Sequence, residues 1–454
     1  MGQEVNFYSR TNGNPVNVYS LEQKVNYWPV VGYVNSPGIN YFYPNYLTQE
    51  SYVVQAAYDF TVIGMTVKLI DAPTSGKRIF ILRKNYENTD IIVTINAGET
   101  YGSVEGSVYY GTSHFDLISL KEIEVGSQPK IRFAVSLVVT ADVGRQPVIM
   151  GIRIPILGLF YVGTHLLFNG SGVRSDAHAG SFYSQSVNQA NMFKSLISVD
   201  GYFKNLRILL SGTSEVYNPI LEIYTYINNS SMWIQFLPGD LYKENTSLTQ
   251  SNTAGSLNYL YNNSNVGYLP AFPTYADRTI DFFPTETTYR TYDCNIDPGG
   301  PAPTPNTFHP GVGRNEFGYA DEPSAESFIV CPIAGTIRNL YVNTNDLPPE
   351  VGYPITVTIR KNFVDTSLYV TISNPSTTGN NTSDTISVSQ GDILSIKVYS
   401  NNPSARPWNF TTNIRISWIF DSGYSNVTPM FLSNGGFSDN TKTGTSTPLN
   451  IYSR

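Results

Sequence analysis

The side chains that could do chemistry are few and scattered. Four histidines, His114, His165, His178 and His309, are spread through the chain, and none stands at a metal-ligand spacing from another. The two cysteines, Cys294 and Cys331, form no Cys-x-x-Cys pair. Asp176-Ala177-His178 comes nearest to a ligand pair, but it lies in a Gly/Ser-rich stretch that reads as a solvated loop. The sequence contains no nucleophile elbow, P-loop or dinucleotide fingerprint. Gly102-Ser103-Val104-Glu105-Gly106-Ser107 is glycine-rich without a strand-to-helix pattern around it, so it reads as a turn. Glu122 and Glu124 alternate on a predicted strand, the pattern of a solvated face rather than of a carboxylate pair for glycoside hydrolysis. The sequence thus offers no catalytic residue, no cofactor-binding residue and no metal ligand. The expectation is a chain that is not an enzyme and needs no cofactor.

The elements that would have to position such residues repeat. Arg83-Lys84-Asn85, Thr89 and Val93-Thr94-Ile95 return at one constant offset as Arg360-Lys361-Asn362, Thr366 and Val370-Thr371-Ile372. Asp116-Leu117-Ile118-Ser119-Leu120-Lys121 returns as Asp392-Ile393-Leu394-Ser395-Ile396-Lys397. Upstream, Gly64 to Leu69 aligns by identity with Gly335 to Leu340. Motifs held in register over such a distance mark a duplicated domain. A fainter third copy lies between, where Gly201-Tyr202-Phe203-Lys204-Asn205-Leu206 echoes Gly335 to Leu340 without the Arg-Lys-Asn signature. Each Arg-Lys-Asn falls where one strand ends and the next begins, and Asn tolerates turn geometry, so both read as turns. Asp116 and Asp392 each open a strand after a loop, which also suits a turn.

Periodicity gives the element type. Ile355, Val357 and Ile359 alternate with threonines, and Ile414, Ile416, Trp418 and Phe420 alternate with Arg415 and Ser417. That period of two predicts half-buried antiparallel strands. Clusters such as Asn374-Pro375-Ser376-Thr377-Thr378-Gly379-Asn380 punctuate them. Only residues 186–199 read as a helix. The predicted fold class is all-β, with three tandem antiparallel β-sandwich domains. The expected division is an N-terminal arm (1–48), domain 1 (49–171), a divergent domain 2 (172–292), a Pro/Gly-rich linker (293–312), domain 3 (313–422) and a C-terminal arm (423–454). The two ends echo each other, Val5-Asn6-Phe7-Tyr8-Ser9-Arg10 against Leu449-Asn450-Ile451-Tyr452-Ser453-Arg454, and read as edge strands.

Composition agrees with these elements and excludes several functions. Of 454 residues, 14% are charged and 13% aromatic, with 33 Tyr, and the formal net charge is −7. Disordered chains are charge-rich and poor in aromatics, so this one folds. With no basic run, nucleic acid is not an expected partner. The most apolar stretch, 154–168, is too short and too broken by Pro and Gly to span a bilayer, and reads as buried strands. The N-terminus shows no signal-peptide pattern, and Asn6 breaks the myristoylation pattern. Cys331 follows Phe328-Ile329-Val330 and reads as a buried thiol; whether it pairs with Cys294 stays open. N-x-S/T sequons, Asn245 and Asn381 among them, are about as frequent as chance gives in an Asn-rich chain.

The third block, from Ala334-Gly335-Thr336-Ile337-Arg338-Asn339-Leu340 through Arg360-Lys361-Asn362 to Gly391-Asp392-Ile393-Leu394, resembles a family of jelly-roll modules. These are the C1q/TNF-like heads of fibre, minor capsid and surface proteins of large DNA viruses and phages. The resemblance covers 313–422 well, 49–141 in part and 172–290 faintly. It implies a jelly-roll fold and trimers, and it brings no shared catalytic residue. The expected function is therefore a virion structural protein: a minor capsid, vertex or fibre component made in the host cytoplasm. Its partners would be other capsid proteins and further copies of itself, with a host-surface glycan or receptor as a further candidate. The alternative is a surface or secreted glycan-binding adhesin, with Trp408 or Tyr261 stacking on sugars. A β-sandwich carbohydrate-active enzyme ranks third.

Overall fold

The structure, a computed structural model, describes residues 59–111, 116–126, 133–141, 195–210, 242–258, 328–344, 351–400 and 414–424 almost throughout; elsewhere it describes mainly the backbone of strands. Every regular element among them is a strand. The chain opens with β1 (Arg10–Thr11), β2 (Asn14–Pro15), β3 (Gln23–Trp28) and β4 (Val54–Gln55). Six longer strands follow: β5 (Phe60–Leu69), β6 (Lys77–Lys84), β7 (Glu87–Asn96), β8 (Tyr101–Tyr110), β9 (Leu117–Val125) and β10 (Phe133–Ala141). Next come β11 (Gln146–Met150), β12 (His165–Leu166), β13 (Ser195–Ile197), β14 (Gly201–Leu210) and β15 (Leu221–Ile227). The middle of the chain ends with β16 (Ser230–Phe236), β17 (Tyr242–Asn252), β18 (Ser256–Asn258), β19 (Leu260–Tyr261) and β20 (Ala276–Pro284). Then come β21 (Tyr289–Ile296), β22 (Thr307–Phe308), β23 (Phe328–Val330), β24 (Gly335–Asn343), β25 (Ile355–Lys361) and β26 (Val364–Ile372). The last are β27 (Thr378–Val388), β28 (Ile393–Ser400), β29 (Ile414–Asp421) and β30 (Val427–Ser433).

All pairings are antiparallel. In the first sandwich one sheet has the order β30-β10-β5-β8, and the facing sheet has β3-β9-β6-β7 with β4 also on β9. In the last sandwich the two sheets run β21-β29-β24-β27 and β22-β28-β25-β26, with β23 also on β28. Between them in sequence lies a four-stranded sheet ordered β11-β20-β14-β17. Apolar residues at every second position turn inward from both sheets: Val62, Met65 and Val67 of β5 meet Ile91, Val93 and Ile95 of β7 in one core. The last sandwich packs Ile337, Leu340 and Val342 against Leu368, Val370 and Ile372. Each such fully buried aliphatic side chain stabilises the fold by roughly 1.5–3 kcal/mol. The interiors match in detail. A Cβ at Gly102 would lie 2.7 Å from Val93 Cγ1, and one at Gly379 would lie 2.6 Å from Val370 Cγ1. Glycine at both points lets β8 and β27 close over the opposite sheet.

Sheet register corrects the alignment of the first block. Val62 pairs with Val108 and Val139, as Ile337 pairs with Ile386 and Phe420. Val67 lies opposite Gly102, as Val342 lies opposite Gly379. Gly64 therefore stands at the position of Asn339, not of Gly335. Identity of a glycine misled the alignment, whereas the register is set by which residues face the core. The middle copy aligns as expected: Asn205 and Asn339 both have φ near +55° (57° and 53°), each at a bulge in its strand.

Three further expectations change. Ser195–Ile197, the end of the expected helix, is strand β13. The boundaries shift too: β11, within the expected domain 1, pairs with β20, and β21 crosses the expected edge of the linker to pair with β29. The expected C-terminal arm supplies β30 to the first sandwich, and the N-terminal arm supplies β3. Finally, β29 is not half-buried: Ile414 through Phe420 are buried without interruption, Arg415 and Ser417 included. On its outer face Ser417 meets Ser198 from the middle of the chain.

Candidate functional site at the sandwich seam

The duplicated Arg-Lys-Asn turn is built the same way twice. Asn85 and Tyr86 have φ of 52° and 68°, and Asn362 and Phe363 have 51° and 64°, so both are two-residue hairpin turns with two left-handed residues. The preceding arginine reaches over the turn, with Arg83 donating to the carbonyl of Tyr86 and Arg360 to that of Phe363. A threonine closes the neck of each hairpin: Thr89 Oγ1 donates to Leu82 O at 2.7 Å, and Thr366 Oγ1 to Ile359 O at 2.5 Å.

Each turn is bolted to the strand beside it by an aspartate. Asp116 pairs with Lys84 Nζ at 2.9 Å and accepts from Asn85 Nδ2 at 2.7 Å and from the Gly111 amide at 2.8 Å. Asp392 pairs with Lys361 Nζ at 2.9 Å and accepts from Asn362 Nδ2 at 2.8 Å and from the Ser389 amide at 2.7 Å. Burial alone would raise both carboxyl pKa values. For Asp116 the donors that outweigh it are Lys84, the Gly111 amide and Asn85; for Asp392 they are the Ser389 amide, Asn362 and Lys361. Both stay below the ordinary carboxylate value. A carboxylate so fully used is a poor base, so the motif is a lock rather than a catalytic group.

The lock of the last sandwich acts on a seam. In the last sandwich the turn presents Phe363 to Phe328, edge to face with ring centroids 5.9 Å apart. Phe328, Val330 and Ile393 then bury themselves against Ala134 of the first sandwich, with Ile70 and Phe363 packed alongside. Ser136 Oγ donates to Val330 O at 2.7 Å across the same seam, and the left-handed Gly391 lies under the Tyr101 ring. This covering buries β10 on both faces. A matching contact joins the middle of the chain to the last sandwich. Ser417 Oγ donates to Ser198 Oγ at 3.1 Å, and the left-handed Gly255 lies under Tyr341. Ser136 and Ser417 hold equivalent places, opposite Thr66 and Tyr341 on the neighbouring strand.

The other sequence candidates do not gather here. Cys331 is a free thiol buried in the core of the last sandwich, and burial pushes its pKa up, so it is unreactive. Glu122 is not on a solvated face: it is fully buried and ion-paired with Arg78, while Glu124 lies 3.6 Å from the same guanidinium. Asn245 and Asn381, noted only as sequons, hold bulges. Asn245 Oδ1 accepts from the Ser247 and Leu248 amides, and Asn381 Oδ1 accepts from the Asp384 amide at 3.1 Å. Matching Asn-x-Ser at one bulge of two strands was the signal available in the sequence. His114, Asp176, His178, His309, Trp408, the proline-rich segment 297–305 and the echoing residues 5–9 and 449–454 lie outside the described residues, as do the side chains of His165, Tyr261 and Cys294. Among the described residues, no helix is long and apolar enough to cross a membrane, and no group of three or more His, Cys, Asp or Glu is placed to hold a metal ion.

No family model and no curated protein matches the chain. Among solved structures it is similar to the arabinofuranosyltransferase AftD from Mycobacteria, at 7% identity and a TM-score of 0.14. That match covers 83% of this chain and 32% of the other. A TM-score this low transfers neither fold nor activity.

The lock makes a pH prediction. A carboxylate with a depressed folded-state pKa contributes stability above its unfolded value, about 3.9 for Asp, which is lost as pH falls through the folded value. Asp392→Asn is expected to lose roughly 1.5–3 kcal/mol at neutral pH, the worth of hydrogen bonds to a charged group. The deficit should shrink on acidification below about pH 4. Urea unfolding at a series of pH values checks it, and a pH-independent deficit would refute the ionised lock.

Proposed function

We propose that the chain is a structural protein of a virus particle, a minor capsid, vertex or fibre component that works through protein–protein contacts. On this reading it comprises three tandem jelly-roll-like sandwiches, is made in the host cytoplasm and ends in the virion beside other capsid proteins. The observation that supports it is the seam. The turn and lock of the last sandwich, with Phe363 on Phe328 and Gly391 under Tyr101, hold that sandwich against the first. The strand path, which crosses between the two sheets at every connection from β5 to β10 and from β24 to β29 except the β6–β7 and β25–β26 hairpins, supports the jelly-roll reading. A glycan-binding adhesin is the second reading, favoured by half-exposed tyrosines on the strands, Tyr109 and Tyr369 at 51% exposure each.

The test is quantitative mass spectrometry of virus particles purified from the source that encodes the chain, after washing with high salt and detergent. A fixed copy number per particle is expected. Absence from washed particles, together with binding on a glycan array, would replace the capsid reading with the adhesin.

A further inference from the structure

The three four-stranded sheets are built to one pattern, and that pattern leaves the first sheet short of a strand. β11 opens the middle sheet by pairing with β20, and β21 opens the last by pairing with β29. Each follows the closing strand of the previous sheet after a connector of only four residues, 142–145 and 285–288. Among the described residues, no strand before β5 joins the first sheet. Its place beside β10 is taken by β30, which follows β29 after the five residues 422–426.

The registers are equivalent. Thr428 lies opposite Val139, Gln146 opposite Phe282, and Arg290 opposite Phe420. Those three partners in turn lie opposite Val62, Phe203 and Ile337, the matching positions of β5, β14 and β24. The seams run in the same sense: β13 and its turn pack on the last sandwich, and β23 and its turn pack on the first. The connector to β30 is tied down, with Ser422 Oγ donating to Val427 O at 2.6 Å and the Gly423 amide to Asp421 Oδ1 at 2.9 Å.

We infer that the chain closes on itself as a ring of three units, with β30 as the clasp that supplies the missing opening strand of the first. A rod of three units would leave the edge of β10 bare and β30 without a place; the closed order leaves neither. One chain then supplies within itself the threefold arrangement that separate copies would otherwise have to assemble, so it is a monomer in solution. This inference does not depend on the viral reading.

Light scattering on the full chain is expected to give a single species of about 50.3 kDa. Hydrogen exchange should show the amides of β30 protected to the same degree as those of β11 and β21. A specific-protease site placed in 422–426 supplies the second arm. After cleavage the fragment beginning near Val427 should co-elute with the body, and its removal in mild denaturant should raise exchange selectively in β10 and β23. A stable trimer of the full chain, rapid exchange in β30 while β11 and β21 stay protected, or immediate loss of the cleaved fragment would each overturn the closed ring.

Discussion

Glu122→Ala is expected to cost roughly 3–5 kcal/mol, the usual loss when one partner is removed from a buried ion pair. Arg78, Phe80 and Leu82 share the inward side of β6, and Glu122 lies opposite Phe80 on β9. Both charges therefore sit at the end of the first sandwich's interior, with exposures of 3% for Arg78 and 0% for Glu122. Without Glu122 the guanidinium loses its nearest carboxylate in favour of the more distant Glu124, at 3.6 Å. The last sandwich shows the neutral solution: at the same register points it has Ile355 and Val398, both in its apolar core. The double variant Arg78→Ile/Glu122→Val should therefore recover the loss and leave stability equal to, or up to about 4 kcal/mol above, the parent. Urea unfolding of the three proteins decides it. A Glu122→Ala protein within about 1 kcal/mol of the parent would show that the pair is solvated.

Phe328→Ala should cost a similar amount, about 3–5 kcal/mol, by leaving a large hole. Its effect should fall in a different place. Phe328 is fully buried but belongs to the cluster with Ala134, Val330 and Ile393, outside the main core of either sandwich. The variant should open the contact between first and last sandwich before either sandwich melts. Hydrogen exchange is then expected to rise in β10 and β23 while β7 and β26 remain protected. A uniform rise across the whole chain would mean that Phe328 supports the global fold and not a separable contact.

Much of the strand content was legible in the residues because period-two alternation reports burial directly. The duplication was legible because the lock needs particular side chains: Arg, Lys, Asn, Thr and Asp each hold one place in the geometry. What escaped reading was everything decided by a third layer. Arg415 and Ser417 look like the wet side of a strand, yet Arg415 Nη1 donates to Asn343 Oδ1 at 3.0 Å and Ser417 reaches the middle of the chain. Glu122 looked solvated because alternation cannot tell a paired buried charge from an exposed one. The partner of β30 was illegible for a different reason. Backbone pairing between residues near 137 and 430 leaves no mark on side-chain type, and a strand seven residues long suits any open edge.

The Arg78–Glu122 pair has a consequence for how such a protein can change. In an assembly of identical subunits every substitution is copied into each position at once, and a buried charge must be tolerated everywhere or nowhere. Here the two sandwiches are spelled out separately along one polypeptide. One carries an arginine and a glutamate where the other has Ile355 and Val398. Each stretch of the gene can drift on its own, so neighbouring faces are free to become different from one another while the shared scaffold stays the same.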